Sequence, residues 1–404
     1  MTLYQAPTGT RDWLPLEVAQ KSWIAERLQQ VFQQWGYQPI VTSTIEGLDA
    51  LMAGGAIQRS SVLQLQETEE GTLGLRPELT ASIARTAATR MAGHPYPQRL
   101  YYHANVFRRS RGHHGRQIEF YQAGVELLGA GSTLADAEIL LLLADCLERL
   151  DLPQWHLIVG EASLTRSLLA PFPPELQQQV RYSIAHLDRV ALQALPLSPA
   201  LRDRALQLFD LRGEPEAVLQ QLADLELDAA TQQTVSHLQS LVALLRRSCA
   251  QPLPLTLDLS LLQTMDYYTG IVFDAVNATE TDIRSFGQGG RYDRLLELYQ
   301  PQGQGAPGIG FALNLEDLHA CLLAADQLPR QTAASDWLVI PQAAGAEAAA
   351  LNYAHGLRQR LGSARVELDL GERSPQAIRA YARACAIAQL AWVSADGSAQ
   401  IETL

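Results

Sequence analysis

The feature that most constrains the fold is a pair of apolar and aromatic runs that flank a basic loop. Residues 100–107 and 118–128 are each long enough for a strand, and the polar stretch between them is rich in arginine, histidine and glycine. This pattern predicts a long antiparallel hairpin. Because side chains alternate between the two faces of a strand, Gln122, Gly124 and Glu126 share one face of the second strand. An amide and a carboxylate are therefore predicted to project side by side into a polar pocket.

The patterns on both sides of the hairpin predict an α+β domain interrupted by helices. Apolar residues at helical spacing alternate with short apolar runs, and prolines between Pro171 and Pro199 break one helical stretch into pieces. The predicted helices cover residues 16–35 and 132–150, an insertion of several helices over about 163–250, and residues 291–299. The predicted strands after the insertion cover residues 255–259 and 271–276, and the glycines Gly287, Gly289 and Gly290 follow them.

The last part of the chain predicts a separate, smaller domain. A chain of 404 residues exceeds what one hydrophobic core usually organises. Strands alternate with helices after a polar stretch, an order typical of α/β domains. The predicted strands cover residues 337–340, 366–370 and 387–393, and the predicted helices cover 346–361 and 375–383. We therefore expect a first domain at residues 1–325, a linker at 326–335 and a small α/β domain at 336–404.

Charge and lysine content exclude several classes of function. The formal net charge is −12 at pH 7, which disfavours sequence-blind attraction to a phosphate backbone. Lys21 is the only lysine, so a P-loop lysine or a Schiff-base lysine elsewhere in the chain is ruled out. Any phosphate contact is expected to come from arginine.

Cysteine spacing and hydropathy predict a cytoplasmic protein without a metal site. Cys146, Cys249, Cys321 and Cys385 lie far apart and form no Cys-x-x-Cys pair. The adjacent His113 and His114 have no further ligand cluster near them in the sequence, so a solvated loop is expected there. The first residues lack the pattern of a signal peptide, and no apolar stretch is long enough to span a bilayer.

Several separated segments resemble the class II aminoacyl-tRNA synthetases, and the histidine-specific member is the nearest match. The hairpin resembles motif 2 of that family, and the other segments follow in the family's order over essentially the whole chain. The resemblance implies an antiparallel sheet with a helical insertion, a C-terminal domain like a truncated anticodon-binding domain, and a dimer. The matching segments are residues 9–12 (GTRD), 75–78 (LRPE), 106–109 (VFRR), 120–126 (FYQAGVE), 265–270 (MDYYTG), 289–293 (GGRYD) and 310–313 (GFAL).

The resemblance also implies that the synthetase chemistry is lost. Activating an amino acid with ATP needs fixed positive charge around a crowded anionic transition state. Arg108 matches the family's motif 2 arginine, but Gln263 and Asp317 stand where two further arginines are expected. Replacing a cation by an anion at Asp317 would repel a polyphosphate. No catalytic residue and no cofactor are therefore predicted.

The amino-acid pocket of the family is retained in this sequence. Carboxylates can meet an ammonium group and an imidazole N–H, while an amide and phenols give directional hydrogen bonds. The resemblance thus implies a histidine site, and the alternative is that the same residues form only a satisfied polar core. The positions that match are Glu78, Thr80, Arg108, Gln122, Glu126, Tyr267 and Tyr268.

A member of this family that lacks the arginines expected at Gln263 and Asp317 resembles the non-catalytic regulatory subunits that pair with a short-form ATP phosphoribosyltransferase catalytic subunit. That resemblance implies a hetero-oligomer in the first step of L-histidine biosynthesis, with L-histidine as the feedback ligand. The main alternative is a functional histidyl-tRNA synthetase in which Arg284 or Arg291 replaces the missing cations. A synthetase-like module for another partner is a third possibility. The acidic charge and the short C-terminal domain disfavour tRNA binding.

Overall fold

A computed structural model describes residues 4–55, 57–65, 71–109, 117–261, 267–278, 283–300, 305–371 and 373–404. The chain divides into two compact units, Met1–Leu328 and Pro329–Leu404. Each unit has its own hydrophobic core.

The first unit is built on a largely antiparallel sheet of nine strands in the described chain. The spatial order is β1-β4-β5-β11-β10-β9-β6-β8-β7, and a separate pair is formed by β2 and β3. Only the β1–β4 and β6–β8 pairs of this sheet are parallel. The strands are β1 Gln38–Pro39, β2 Ile45–Gly47, β3 Leu73–Leu75, β4 Gln98–Phe107, β5 Glu119–Leu128, β6 Trp155–Glu161, β7 Arg212–Gly213, β8 Leu255–Asp258, β9 Ile271–Ala278, β10 Ile283–Arg291 and β11 Gly308–Asn314.

Helices cover the sheet and fill the segment between β6 and β8. One face of the sheet packs against α1, α4 and α11, and the helices α5–α10 form the insertion that was predicted between the strands. The helices are α1 Pro15–Gln34, α2 Leu48–Met52, α3 Thr80–Thr89, α4 Thr133–Arg149, α5 Ala162–Leu169, α6 Pro174–Ala185, α7 Arg189–Ala194, α8 Pro199–Asp210, α9 Pro215–Ala223, α10 Ala229–Ser248 and α11 Leu315–Ala324.

Strand alternation places two different cores on the two faces of this sheet. On β5, Ala123 and Val125 join the large core beneath α1 and α4. On β4, Leu100 and Tyr102 face the other side, where a smaller and more polar core lies beside α3. Gln122 and Glu126 also belong to this second side, as the period of two predicts. The polar face of the sheet is therefore the face available for a ligand.

The second unit is a four-stranded sheet with one helix on each face. The strand order is β13-β12-β14-β15, with β12 parallel to both of its neighbours and β15 antiparallel to β14. Two separate apolar clusters, one beside each helix, form its core. The elements are β12 Trp337–Pro341, α12 Glu347–Leu361, β13 Val366–Leu368, α13 Pro375–Ala384, β14 Gln389–Val393 and β15 Ala399–Thr403.

The structure confirms the fold class and corrects two predicted elements. The helix predicted at 291–299 is wrong, because β10 runs to Arg291 and only a single 3₁₀ turn follows at Leu296–Tyr299. Glycines weaken a strand signal, so the cluster before Arg291 concealed β10. The last strand, β15, was not predicted, although Asp396-Gly397 between two short runs is a hairpin-turn signal.

Glycine is required at the centre of the sheet, where β10 meets β11. A Cβ on Gly289 would overlap the carbonyl oxygen of Gly310 and the ring of Phe273. We expect Gly289→Ala to lower the free energy of unfolding by about 1–3 kcal/mol, because a backbone oxygen cannot move aside. Gly47→Ala is the matched control, because its Cβ would meet open space. Urea denaturation of both variants measures the difference, and equal midpoints would contradict this packing.

Candidate functional site

A cavity of about 220 Å³ opens on the polar face of the large sheet. It is bounded by the start of α3, the strands β4, β5, β10 and β11, and the N-terminus of α11. Six of the seven residues predicted to bind histidine line it, and the seventh, Glu126, contacts two of the lining residues. The lining residues are Glu78, Leu79, Thr80, Tyr102, Arg108, Gln122, Tyr267, Tyr268, Ser285, Phe286, Gly287, Gln288, Tyr292, Gly310, Phe311, Ala312, Asn314 and Asp317.

Glu78 is held at the cavity wall by the helix that follows it. Its Oε1 accepts a hydrogen bond of 2.8 Å from the backbone N–H of Ala81 in the first turn of α3. Its Oε2 is buried and has no hydrogen-bond partner among the described residues. Burial raises the pKa of this carboxyl, while the hydrogen bonds at the helix start oppose the shift. One oxygen thus remains free to accept a proton or an N–H from a ligand.

Glu126 lies at the floor of the cavity, behind the lining residues Thr80 and Tyr292, and is 1% exposed. Thr80 Oγ1 donates to its Oε1 at 2.6 Å, and the Tyr292 hydroxyl donates to its Oε2. Burial raises the pKa of Glu126 to about 8, and the hydrogen bonds from the two hydroxyls oppose this shift. A Cβ on Gly310 of the neighbouring strand would overlap this carboxyl group. Glycine at position 310 therefore leaves space for the Glu126 carboxyl group.

An amide and a guanidinium complete the polar part of the cavity. Gln122 lies four residues before Glu126 in β5 and on the same face, and its Oε1 is buried without a described hydrogen-bond partner. Arg108 follows the end of β4, and its Nε donates to the Pro77 carbonyl at 2.7 Å. This contact places the guanidinium beside the segment that carries Glu78. Arg108 is the one cationic side chain among the described residues that line the cavity.

Four tyrosines form the aromatic wall. The rings of Tyr267 and Tyr268 meet edge to face at 4.9 Å, and the rings of Tyr267 and Tyr292 do so at 5.9 Å. Tyr102 and Tyr292 were not assigned to the site from the sequence. A signal for Tyr102 was present, because it lies opposite Gly124 in the hairpin, where a Cβ would overlap its hydroxyl. A glycine facing an aromatic residue across strands indicates close approach.

The cavity end beside α11 carries a negative charge instead of the expected arginine. Asp317 is half-buried in the first turn of α11, where Asn314 Oδ1 accepts from its backbone N–H at 3.3 Å. Burial raises the pKa of Asp317, and the positive charge of Arg284 partly offsets that effect. Arg291, nominated as a replacement cation, instead bonds Asp136 away from the cavity. Gln263, the other position where the resemblance implies an arginine, lies outside the described residues, as do His113 and His114.

This arrangement suits a small zwitterion better than a polyphosphate. Glu78, Glu126 and Asp317 supply three carboxyl groups, against the single guanidinium of Arg108. An ammonium group can meet the unpaired Oε2 of Glu78, and a ring N–H can meet the unpaired Oε1 of Gln122. In the described parts of the chain, no group of three histidine, cysteine or acidic side chains converges in a way that could hold a metal ion.

Comparison with known proteins identifies the family. The family model for histidyl-tRNA synthetase matches residues 9–318. An ATP phosphoribosyltransferase regulatory subunit of Gloeothece citriformis is 62% identical over 406 residues, covering 100% of both chains. The corresponding protein of Nostoc punctiforme is 59% identical over 403 residues, again covering 100% of both. The chain belongs to the family of ATP phosphoribosyltransferase regulatory subunits. The resemblance seen in the sequence is thereby confirmed.

Solved structures agree with this assignment. A protein of Bacillus halodurans described as an ATP phosphoribosyltransferase regulatory subunit/histidyl-tRNA synthetase superposes with a TM-score of 0.79 at 27% identity, covering 94% of this chain and 97% of that one. The histidyl-tRNA synthetase of a Nostoc species superposes with a TM-score of 0.80 at 19% identity, covering 100% and 97%. At that identity, the likeness to the synthetase concerns the fold alone. Among the described helices, none has the length and apolar character to cross a membrane.

Burial of Glu126 predicts a pH dependence of stability. Folding raises its pKa from 4.5 to about 8, so between these values the folded chain holds a proton that the unfolded chain has released. This carboxyl's contribution to stability therefore falls as the pH rises through that window. Glu126→Gln should flatten the decline in urea midpoint between pH 5 and pH 8, whereas Glu175→Gln on the exposed face of α6 should not. Equal slopes for wild type and Glu126→Gln would contradict the assignment.

Proposed function

We propose that this chain is a non-catalytic subunit that a short-form ATP phosphoribosyltransferase catalytic subunit needs for activity, and that it carries feedback inhibition by L-histidine. In this proposal it forms a hetero-oligomer in the cytoplasm, acts in the first step of L-histidine biosynthesis, and self-associates as a dimer like its class II relatives. The observation that carries the non-catalytic part is the negative charge of Asp317 at the end of the cavity where a synthetase needs a cation.

The charge distribution supports ligand binding without adenylation. A triphosphate would bring about four negative charges toward Asp317 and Glu78, with Arg108 as the one cationic side chain among the described lining residues and Arg284 acting on Asp317 from outside that lining. Missing one electrostatic partner of a transition state commonly costs about 3–4 kcal/mol. A functional histidyl-tRNA synthetase is therefore the weaker alternative, and the likeness to that enzyme at 19% identity extends to the fold alone.

The unsatisfied polar atoms support histidine as the ligand. Glu78 Oε2 and Gln122 Oε1 are buried acceptors without described partners, and leaving such atoms unpaired costs about 1–3 kcal/mol each. An ammonium and a ring N–H supply the missing donors, and Arg108 supplies a partner for the ligand carboxylate. The tyrosines enclose a flat aromatic ring. A satisfied polar core, the alternative interpretation, does not account for both of these acceptors.

Truncating the amide tests the ligand assignment. Gln122→Ala should weaken L-histidine binding by at least about tenfold, because it removes one directional hydrogen bond made by a buried acceptor. Gln178→Ala, on an exposed position of α6, is the matched control and should bind like wild type. Isothermal titration calorimetry with L-histidine measures both affinities. Unchanged binding by Gln122→Ala would place the ligand elsewhere.

Reconstitution tests the regulatory role. The isolated chain should show no histidine-dependent exchange between ATP and pyrophosphate, because adenylation needs the missing cations. The short catalytic subunit should form phosphoribosyl-ATP rapidly only when this chain is added, and L-histidine should then inhibit it. The Gln122→Ala complex should remain active and lose its sensitivity to histidine. Robust pyrophosphate exchange by the isolated chain would instead support the synthetase alternative.

A further inference from the structure

We propose that Arg291, Asp136 and His237 form a latch that couples the helical insertion to the floor of the cavity. The latch residues lie in three elements: the end of β10, the first turn of α4 and the insertion helix α10. The proposal deepens the regulatory function proposed above, because it assigns to the insertion a way of sensing whether the cavity is occupied. Its ligand-dependent part rests on that proposed function.

Asp136 is the centre of the latch and is fully buried. Arg291 Nε donates to its Oδ1 at 2.9 Å, and His237 Nε2 lies 2.8 Å from its Oδ2. The opposite ring nitrogen of His237 lies 3.2 Å from Thr133 Oγ1, which fixes the orientation of the imidazole. A buried carboxylate needs such partners, because an uncompensated buried charge is strongly destabilising. The latch therefore constrains where α10 can lie on α4.

Arg291 itself is fixed from several sides. Its Nη1 donates to the Ala130 carbonyl at 3.1 Å and to Asp293 Oδ1 at the same distance. A Cβ on Gly270 would come within 2.8 Å of the Arg291 side chain, so glycine at this position, just before β9, lets the backbone pass close to Arg291. The guanidinium therefore has little freedom to move without its backbone. A shift at Asp136 is passed to the end of β10.

The next residue along the chain belongs to the cavity. Tyr292 donates its hydroxyl to Glu126 and packs on Tyr267, while its backbone N–H donates to the Gly308 carbonyl at 2.7 Å. Consecutive side chains thus bond two buried carboxyl groups in different parts of the domain, Arg291 at Asp136 and Tyr292 at Glu126. A ligand that changes the hydrogen bonding of Glu126 must act on Tyr292. Because Arg291 is the adjacent residue, a displacement of Tyr292 also displaces Arg291 and its bond to Asp136.

His237 makes the latch sensitive to pH. The hydrogen bond to Asp136 raises the pKa of His237, and burial opposes this shift. The charged groups that act on the imidazole are Asp136 of α4, Arg291 at the end of β10 and Glu161 at the start of α5. Because the charged imidazole is the form that Asp136 favours, the latch is strongest at low pH. It weakens as the pH rises through this raised pKa.

Coupling of this kind is reciprocal. If ligand binding in the cavity favours the packing of α10 on α4, then a change that favours this packing must raise the affinity of the cavity for the ligand by the same factor. Changes along such a contact chain typically alter coupling by about 0.5–2 kcal/mol, or roughly 2- to 30-fold in affinity. The insertion and the cavity therefore respond to one equilibrium.

Hydrogen exchange on the full chain without ligand tests the latch directly. In His237→Ala, the amides of α10 and those of residues 290–293 should both exchange faster than in wild type, by about 3- to 10-fold. His237→Gln, which keeps an N–H donor but cannot titrate, should retain more protection than His237→Ala and lose the pH dependence seen in wild type. Arg246→Gln is the control, because Arg246 is also on α10 and the change breaks its exposed pair with Glu216 of α9 without touching Asp136. Faster exchange confined to α10 in His237→Ala would overturn the coupling.

Isothermal titration calorimetry with L-histidine tests the ligand-dependent part of the proposal. His237→Ala should bind histidine about 3- to 10-fold more weakly than wild type, while Arg246→Gln should bind like wild type. Equal affinities for His237→Ala and wild type would overturn the ligand-dependent part. If wild type itself fails to bind histidine, the proposed function is wrong, and the exchange experiment still decides whether the latch joins α10 to residues 290–293.

Discussion

Burying the Glu126 carboxyl within an antiparallel sheet is the constraint on which the cavity depends. A carboxyl group without water must be neutral or must receive hydrogen bonds, and here the hydroxyls of Thr80 and Tyr292 reach it. Gly310 on the adjacent strand leaves space for that carboxyl, so the glycine, the two hydroxyls and the acid form one packing unit. The start of α3 and the end of β10 are held in place around it. Because the Tyr292 hydroxyl bonds Glu126, the Tyr292 ring lies against Tyr267 and forms part of the aromatic wall.

The cavity presents buried donors and acceptors that suit the proposed amino-acid ligand, and it carries an acid where the synthetase resemblance implies a cation. Recognition requires a few buried donors and acceptors, whereas adenylation requires several cations around a developing negative charge. Asp317 lies at the cavity end where a phosphate-binding arginine was expected, beside the N-terminus of α11. This division fits the proposed regulatory role, since a sensor needs the ligand site and has no use for the reaction.

The two faces of the large sheet carry different tasks. The apolar face joins α1, α4 and α11 in the main core, which is rigid because its side chains are closely packed. The polar face holds the cavity, and the end of β10 connects that cavity to a buried ionic network under the insertion. Arg291 and Tyr292 are adjacent in sequence and bond acids that are ten residues apart, one at the start of α4 and one in β5. Regulation by such a fold can use small shifts of one strand end.

Sequence alone determined the hairpin, the alternation that aligns Gln122 with Glu126, and six of the side chains that line the cavity, because period-two patterning and ordered motifs are local features. It could not determine β10, since glycines give almost no strand signal until neighbouring strands are known, and it missed β15 although a turn signal was present. Only the tertiary structure decided that Tyr102 and Tyr292 join the wall, that Arg291 faces Asp136 rather than the cavity, and that burial raises the pKa of Glu126 to about 8. These properties depend on desolvation and on contacts between residues far apart in the chain, which no local pattern records.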